Sequence, residues 1–206
     1  KIYKGYSVVD TYGYRKINKI SIMKLSKDGQ TVIGDKTKLN CDCLGVSGGW
    51  TPAVHLFTQS GGKLKFREED QVFIPDVYPS DQISIGSCNG DFGLEEIVKN
   101  TLSSLKKFLN IDNSEYNTVE IISVLNQSKR NIWLLPSDKS IGKTKSFVDY
   151  QNDATSKDIK LALREGFRSI EHVKRYTTTG MGTDQGKLGN MHALGIISET
   201  AGTKMG

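Results

Sequence analysis

The chain has 206 residues, 36% of them hydrophobic and 25% charged, which leaves room for one large or two small domains with a real core. The formal charge of +5 comes from lysines such as Lys24, Lys27, Lys36 and Lys38 dispersed among Asp and Glu, not from a basic face with stacking aromatics, so no nucleic-acid partner is expected. No apolar run reaches membrane-spanning length and the first residues lack the apolar core of a signal peptide, which excludes a membrane partner on this reading and points to a cytoplasmic protein.

In chain order, Tyr6–Asp10, Arg15–Leu25 and Thr31–Ile33 carry strand signals, with Asp28-Gly29 as a hairpin turn. Lys38 to Val46 continues as a strand, buried from Cys41 onward, and runs into Ser47-Gly48-Gly49 and a helix opened by Thr51 and Pro52. Cys41 and Cys43 share one strand face and read as buried small thiols; with Cys88 they make an odd set without C-x-x-C spacing, so neither a disulfide framework nor a zinc site is indicated. Thr51–Gln59 is expected as a short helix with Ala53, Val54, Leu56 and Phe57 inward, and His55 as a packed edge residue. Lys63–Phe66 and Gln71–Ile74 are short strands around a charged turn.

A second junction follows, in which a strand Ile83–Ile85 meets Gly86-Ser87-Cys88-Asn89-Gly90 before the long amphipathic helix Gly93–Leu109. That helix carries acidic residues in its first turns and lysines in its last, as the macrodipole favours. Glycines after a strand let backbone N–H groups approach a phosphate, and a helix N-terminus adds a positive dipole end. They also serve as plain tight turns, and no G-x-G-x-x-G follows a strand in this chain.

Beyond a polar stretch at Asn110–Asn117, Thr118–Leu125 and Asn131–Leu135 are apolar β-rich runs, and Ser137–Lys145 reads as a mobile Lys-rich linker. Phe147–Ser198 reads as a helical unit: a first helix capped by Thr155 and stopped by Gly166, a second from Ile170 to Thr178, capped by Ser169 and ended by Gly180, and a third from about Leu188 to Glu199. The small-residue tail and the absence of an initiator Met suggest an internal piece of a longer polypeptide.

Several long blocks resemble the alpha subunit of heterotetrameric sarcosine oxidase: Phe147–Asp153, Lys157-Asp158-Ile159, Arg164–Ser169, Glu171-His172, Lys174–Thr178 and Thr183–Lys187, with Cys41-Asp42, Ser47–Pro52 and His55-Leu56 upstream. The resemblance implies an α/β chain, a partial FAD/NAD-binding, disulfide-reductase-like domain followed by a small α-helical domain. The corresponding domains are residues 1–112, the C-terminal part of the dinucleotide-binding fold; 113–145, a β-rich connector and linker; 146–200, a degenerate bacterioferritin-associated-ferredoxin-like helical domain; and 201–206, a linker to a missing C-terminal domain. In that ferredoxin-like family four cysteines hold a 2Fe-2S cluster, and their positions fall here on Asp149, Gln151, Asp184 and Gly189. With no thiolate among them, no iron-sulfur cluster is expected.

The resemblance further implies a complex with beta, gamma and delta subunits that demethylates sarcosine to glycine, forms peroxide and passes a one-carbon unit to tetrahydrofolate. FAD and FMN are expected mainly on the beta subunit, and NAD on the alpha subunit. Disulfide reductases have Gly-Asp at the second junction, where Ser87 stands here, so NAD is favoured over flavin. The site residues this assigns are Ser47, Gly48, Gly49, Trp50, Pro52, Gly86, Ser87, Asn89 and Gly90 for NAD, with no catalytic or metal-binding residue in the chain. The competing reading is a non-catalytic interaction module of a related amine or opine oxidase complex.

Overall fold

The computed structural model describes residues 1–79, 81–111 and 131–205. They form a mixed α/β chain with two compact units, Lys1–Val46 with Ile132–Met205, and Ser47–Asn131. The run Thr118–Leu125 lies outside the described residues.

The first unit opens on an antiparallel meander of β1 (Tyr6–Tyr12), β2 (Lys19–Leu25) and β3 (Val32–Asn40), in that order. On the central strand β2 the consecutive residues Ile20, Ser21, Ile22 and Met23 are all buried, because both faces are covered. The Ser21 hydroxyl is satisfied by the Tyr12 phenol at 3.0 Å. The turn between β2 and β3 falls at Asp28-Gly29 as the sequence indicates, with Gly29 at a φ of 69°.

Two irregularities interrupt the ladders. Val9 is the extra residue in β1, and β3 runs from Thr37 to Ile33 while β2 advances only from Ile22 to Lys24. Bulges re-aim side chains, and here Asp10 and Lys36 meet at 2.8 Å. Asp138, 2.9 Å from Lys36, and Lys139, paired with Asp10, complete a four-residue charge network. The stretch expected as a mobile linker is therefore fastened at its start to the meander, because its charges find opposite partners across the unit.

The helical part begins with a hairpin of β6 (Phe147–Asp149) and β7 (Ala154–Thr155), strands too short to leave a periodic signal in the sequence. Three helices follow, α3 (Ser156–Arg164), α4 (Ile170–Thr177) and α5 (Asn190–Ala201). Thr155 caps α3 as its sequence suggests: its N–H and Oγ1 both donate to Asp158 Oδ2, at 2.8 and 2.6 Å. The second helix ends within one residue of the expected Thr178, which takes the left-handed conformation ahead of Gly180.

Ile159, Ala162, Val173, Ala193 and Ile196, each at most 2% exposed, form the centre of this unit's core. Full burial of an isoleucine is worth about 1.5–3 kcal/mol. Trp133 and Leu134 pack on the same core, which corrects the reading of Asn131–Leu135 as a strand: those side chains cap a helical core without a ladder. The Trp133 indole lies so close over Gly195 that any Cβ there would sit inside the ring.

In the second unit α1 (His55–Gln59) precedes a hairpin of β4 (Lys63–Arg67) and β5 (Val72–Val77), then a 3-10 turn, Gly86–Asn89, and α2 (Leu94–Leu109). Two expected strands are absent. Cys41–Val46 and Ile83–Ile85 are irregular, because a strand exists through its ladder bonds and no described neighbour offers them. The buried-thiol reading fails with the first: Cys41 is half-buried, Cys43 and Cys88 are exposed, and all three are free.

Candidate functional site

The first glycine segment departs from its expected form. Ser47, Gly48, Gly49 and Trp50 are exposed in irregular chain, Trp50 at 83%, and only Pro52 is buried. The helix after them is five residues long and starts at His55, not at Thr51, and Gly61-Gly62 follow its end. A helix that short brings no dipole end to Ser47–Gly49. Of its expected apolar face only Phe57 is buried, while Leu56 and Ala53 are exposed, Val54 is half-buried and His55 is exposed. Gly49, at a φ of 107° with nothing within 4 Å of a notional Cβ, leaves its backbone open to approach.

The second segment is better built. Gly86 is buried, with a φ of 66°, and a Cβ there would lie 3.5 Å from Ile97, one turn inside α2. Gly90, at a φ of 84°, presses against Ile74 of β5 and the Arg67 guanidinium; Arg67 Nη2 donates to Gly90 O at 2.6 Å while its Nε donates to Asp70 at 2.8 Å. The Asp70 carboxylate beside it raises the Arg67 pKa further. Asn89 Oδ1 accepts from the Tyr78 hydroxyl at 3.1 Å, and Tyr78 stacks edge-on against Phe57 of α1 at 5.0 Å. Ser87 is exposed. The β4–β5 hairpin thus supports both α1 and the Gly86–Gly90 turn, but no hydrogen bond joins Ser47–Trp50 to Gly86–Gly90 among the described residues.

Asp91 is the residue here that sequence reasoning missed. It is 7% exposed; Oδ1 accepts from Asn100 Nδ2 at 3.2 Å and Oδ2 has no hydrogen-bond partner among the described residues. An Asp after Gly reads as an ordinary turn residue, so only burial singles it out. With Glu95 and Glu96 in the first turn of α2, it places acidic groups where a phosphate would otherwise meet the positive end of the helix.

In the helical unit Asp149, Gln151, Asp184 and Gly189, where the resemblance to the ferredoxin-like family would place cysteines, line one small cavity of about 20 Å³ together with Val148 and Gly186. Their chemistry is different. Asp149, 6% exposed, accepts N–H groups from Gln151, Asn152 and Gly180 at 2.8, 3.2 and 2.7 Å, and the Asn152 amide at 3.3 Å. Burial pushes its carboxyl up, but these donors outweigh burial and leave it below the usual carboxylate range. Gln151 Oε1 accepts from Thr183 N at 2.6 Å, and Asp184 accepts from Gly186 N and Leu188 N. A Cβ at Gly189 would come within 2.5 Å of Val148 O. An iron-sulfur cluster does not fit these residues: two carboxylates, an amide and a glycine are spent on the loops' own backbone, and no thiolate is available.

The comparisons with known proteins follow this division. A family model for the sarcosine oxidase A3 domain matches residues 143–206, which include the whole helical part. The sarcosine oxidase subunit alpha of Corynebacterium sp. (strain P-1) is 28% identical over 216 aligned positions, covering 98% of this chain and 21% of that protein. That of Rhizobium meliloti (strain 1021) is 30% identical over 205 positions, covering 94% and 20%. The chain is similar to the sarcosine oxidase alpha subunits along nearly all of its length. It spans about a fifth of the length of these alpha-subunit relatives. The L-proline dehydrogenase of P. horikoshii has a similar fold, with a TM-score of 0.56 over 96% of this chain and 40% of that one, at 18% identity. Among the described residues, no helix is long and apolar enough to cross a membrane.

Proposed function

We propose that this chain is the nucleotide-holding and docking portion of an alpha subunit in a sarcosine-oxidase-type complex. The observation that carries the proposal is similarity to sarcosine oxidase alpha subunits along 88–98% of the chain, with the A3 match over residues 143–206. On this reading the complex is a cytoplasmic oxidoreductase acting on a CH–NH donor. It converts sarcosine to glycine with peroxide formation and one-carbon transfer to tetrahydrofolate, in partnership with beta, gamma and delta subunits. FAD and FMN belong mainly to the beta subunit, and the chemistry lies outside this chain.

Within the chain the role is binding. NAD is held by backbone at Ser47, Gly48, Gly49, Trp50 and Pro52 on one side and Gly86, Ser87, Asn89 and Gly90 on the other, in a site shared with other parts of the subunit. The open backbone at Gly49 and the positive φ of Gly86 and Gly90 support that assignment. The test is to release nucleotide from the purified native complex by heat and identify it by mass. NAD is expected, and Gly48→Val with Gly49→Val should lose it; unchanged NAD content in that variant rejects the site. A second reading is favoured by Asp91, Glu95 and Glu96, whose charge opposes an anion at α2. In it the chain is a non-catalytic interaction module of a related amine or opine oxidase, and the native complex releases no nucleotide.

A further inference from the structure

Lysines are dispersed along the chain, but three of its six arginines, Arg164, Arg168 and Arg175, fall close together in the helical unit. The fold gathers them. The Tyr176 ring packs on Phe167 at 4.9 Å and its hydroxyl donates to Glu165 Oε2 at 2.5 Å, so the last turn of α4 lies against the end of α3 and the loop after it. The bond to Glu165 raises the Tyr176 pKa, and the Arg164 guanidinium is near enough to oppose it. Arg164, Arg168, Arg175 and Tyr176 are all exposed, and Lys157 and Lys160 continue the charge along α3 at the i, i+3, i+7 spacing of one helix face. None of these arginines and lysines forms an ion pair among the described residues, and the acids beside them are committed elsewhere: Asp158 to the Thr155 cap, Glu165 to Tyr176, and Glu171 to Lys174 at 3.7 Å. A cation at a helix C-terminus complements the macrodipole, which accounts for Arg164 and Arg175 taken singly. It does not account for Arg168, which lies between the helices.

We propose that Arg164, Arg168, Arg175 and Tyr176 form a docking surface for a carboxylate-rich face of another subunit. The proposal rests on the reading of this chain as part of a multisubunit complex, and it does not depend on NAD. Charge complementarity chooses the occupant, because the exposed guanidinium groups have no acid of their own to pair with. A guanidinium matches a carboxylate with two parallel hydrogen bonds, and arginine and tyrosine are over-represented among the residues that carry most of the binding energy of an interface. The surface is also prepared in advance. Phe167 packs on the core of the helical unit, and Phe167 and Glu165 together hold Tyr176, so docking has little left to order at its centre. A nucleic-acid strand would instead need open rings for its bases, and the Tyr176 ring is already partnered by Phe167.

Phenylglyoxal, which modifies accessible guanidinium groups, should label Arg164, Arg168 and Arg175 at least about tenfold more slowly in the native complex than in the native polypeptide purified without its partners. Carbodiimide, which joins an amine to a carboxylate in contact with it, should link Lys157 or Lys160 to an Asp or Glu of another subunit. Equal labelling in the two preparations overturns the proposal, as do links confined to this chain or to a second copy of it, and protection that disappears on nuclease treatment. If no other subunit co-purifies with the native polypeptide, the multisubunit reading fails and the docking surface fails with it; equal labelling in an intact complex defeats the docking surface alone. Arg168→Glu should weaken assembly at least about tenfold at low salt and leave the unfolding midpoint of the polypeptide unchanged, while Arg168→Lys keeps part of the affinity. Assembly lost only in step with stability would assign the arginine to folding and overturn the proposal.

Discussion

The helices α2 and α3 are both amphipathic, and they end in opposite environments. In α3, Ile159 and Ala162 are fully buried against α4 and α5. The longer α2 has no buried residue; Leu94 is 57% exposed, Val98 37% and Leu109 56%. Hydrophobic periodicity therefore establishes a helix and the face it offers, but the partner decides whether that face is covered. For α3 the partners lie within the next 40 or so residues of chain. For α2 the described neighbour is the Gly86–Asn89 turn, through contacts such as Gly86 on Ile97.

The most forceful way to break this contrast is to cut into the packed helix. Ile159→Ala should destabilise the helical unit by about 2–5 kcal/mol in denaturant unfolding, because a fully buried side chain leaves a cavity. A cost within the range of surface substitutions would mean that the core is loosely packed. Asp149→Asn should cost about 1.5–3 kcal/mol at pH 7, since four donors lose a charged acceptor. The Asp149 pKa lies below its unfolded value, so its contribution is present above that value and is lost as pH falls through the folded one. The gap between wild type and variant should accordingly close below about pH 4. A gap that persists into stronger acid would make the loss one of packing and not of charge.

Gly195→Ala should cost about 1–3 kcal/mol by overpacking against Trp133, and should shift the Trp133 fluorescence. Thr155→Ala should cost about 1 kcal/mol through loss of the α3 cap. The smallest effect belongs to the other helix: Val98→Ser on α2 should change stability by no more than about 0.5–1 kcal/mol. A loss above about 2 kcal/mol there would show that the α2 face is buried in the native protein, and the contrast between the two helices would collapse.

The sequence by itself determined those elements whose signals are local. The Asp28-Gly29 turn, the cap at Thr155 and the periodic stripe of α2 each lie within a few residues, and their outlines hold in the structure. That Asp149, Gln151, Asp184 and Gly189 carry no thiol was equally legible, because it is a matter of residue identity alone. Tertiary structure decided whatever depends on a distant partner. Cys41–Val46 has the composition of a strand and lacks a ladder; Asn131–Leu135 has the same composition and packs Trp133 on α5; Lys139 looks like linker and is held by Asp10. At the candidate site, the glycines were visible in the sequence, but the burial of Asp91 and the brevity of α1 were not. The physical reason is the same in each case: turns, caps and periodicity are set by neighbours in sequence, whereas ladders, burial and charge pairing are set by groups that only the folded chain brings together.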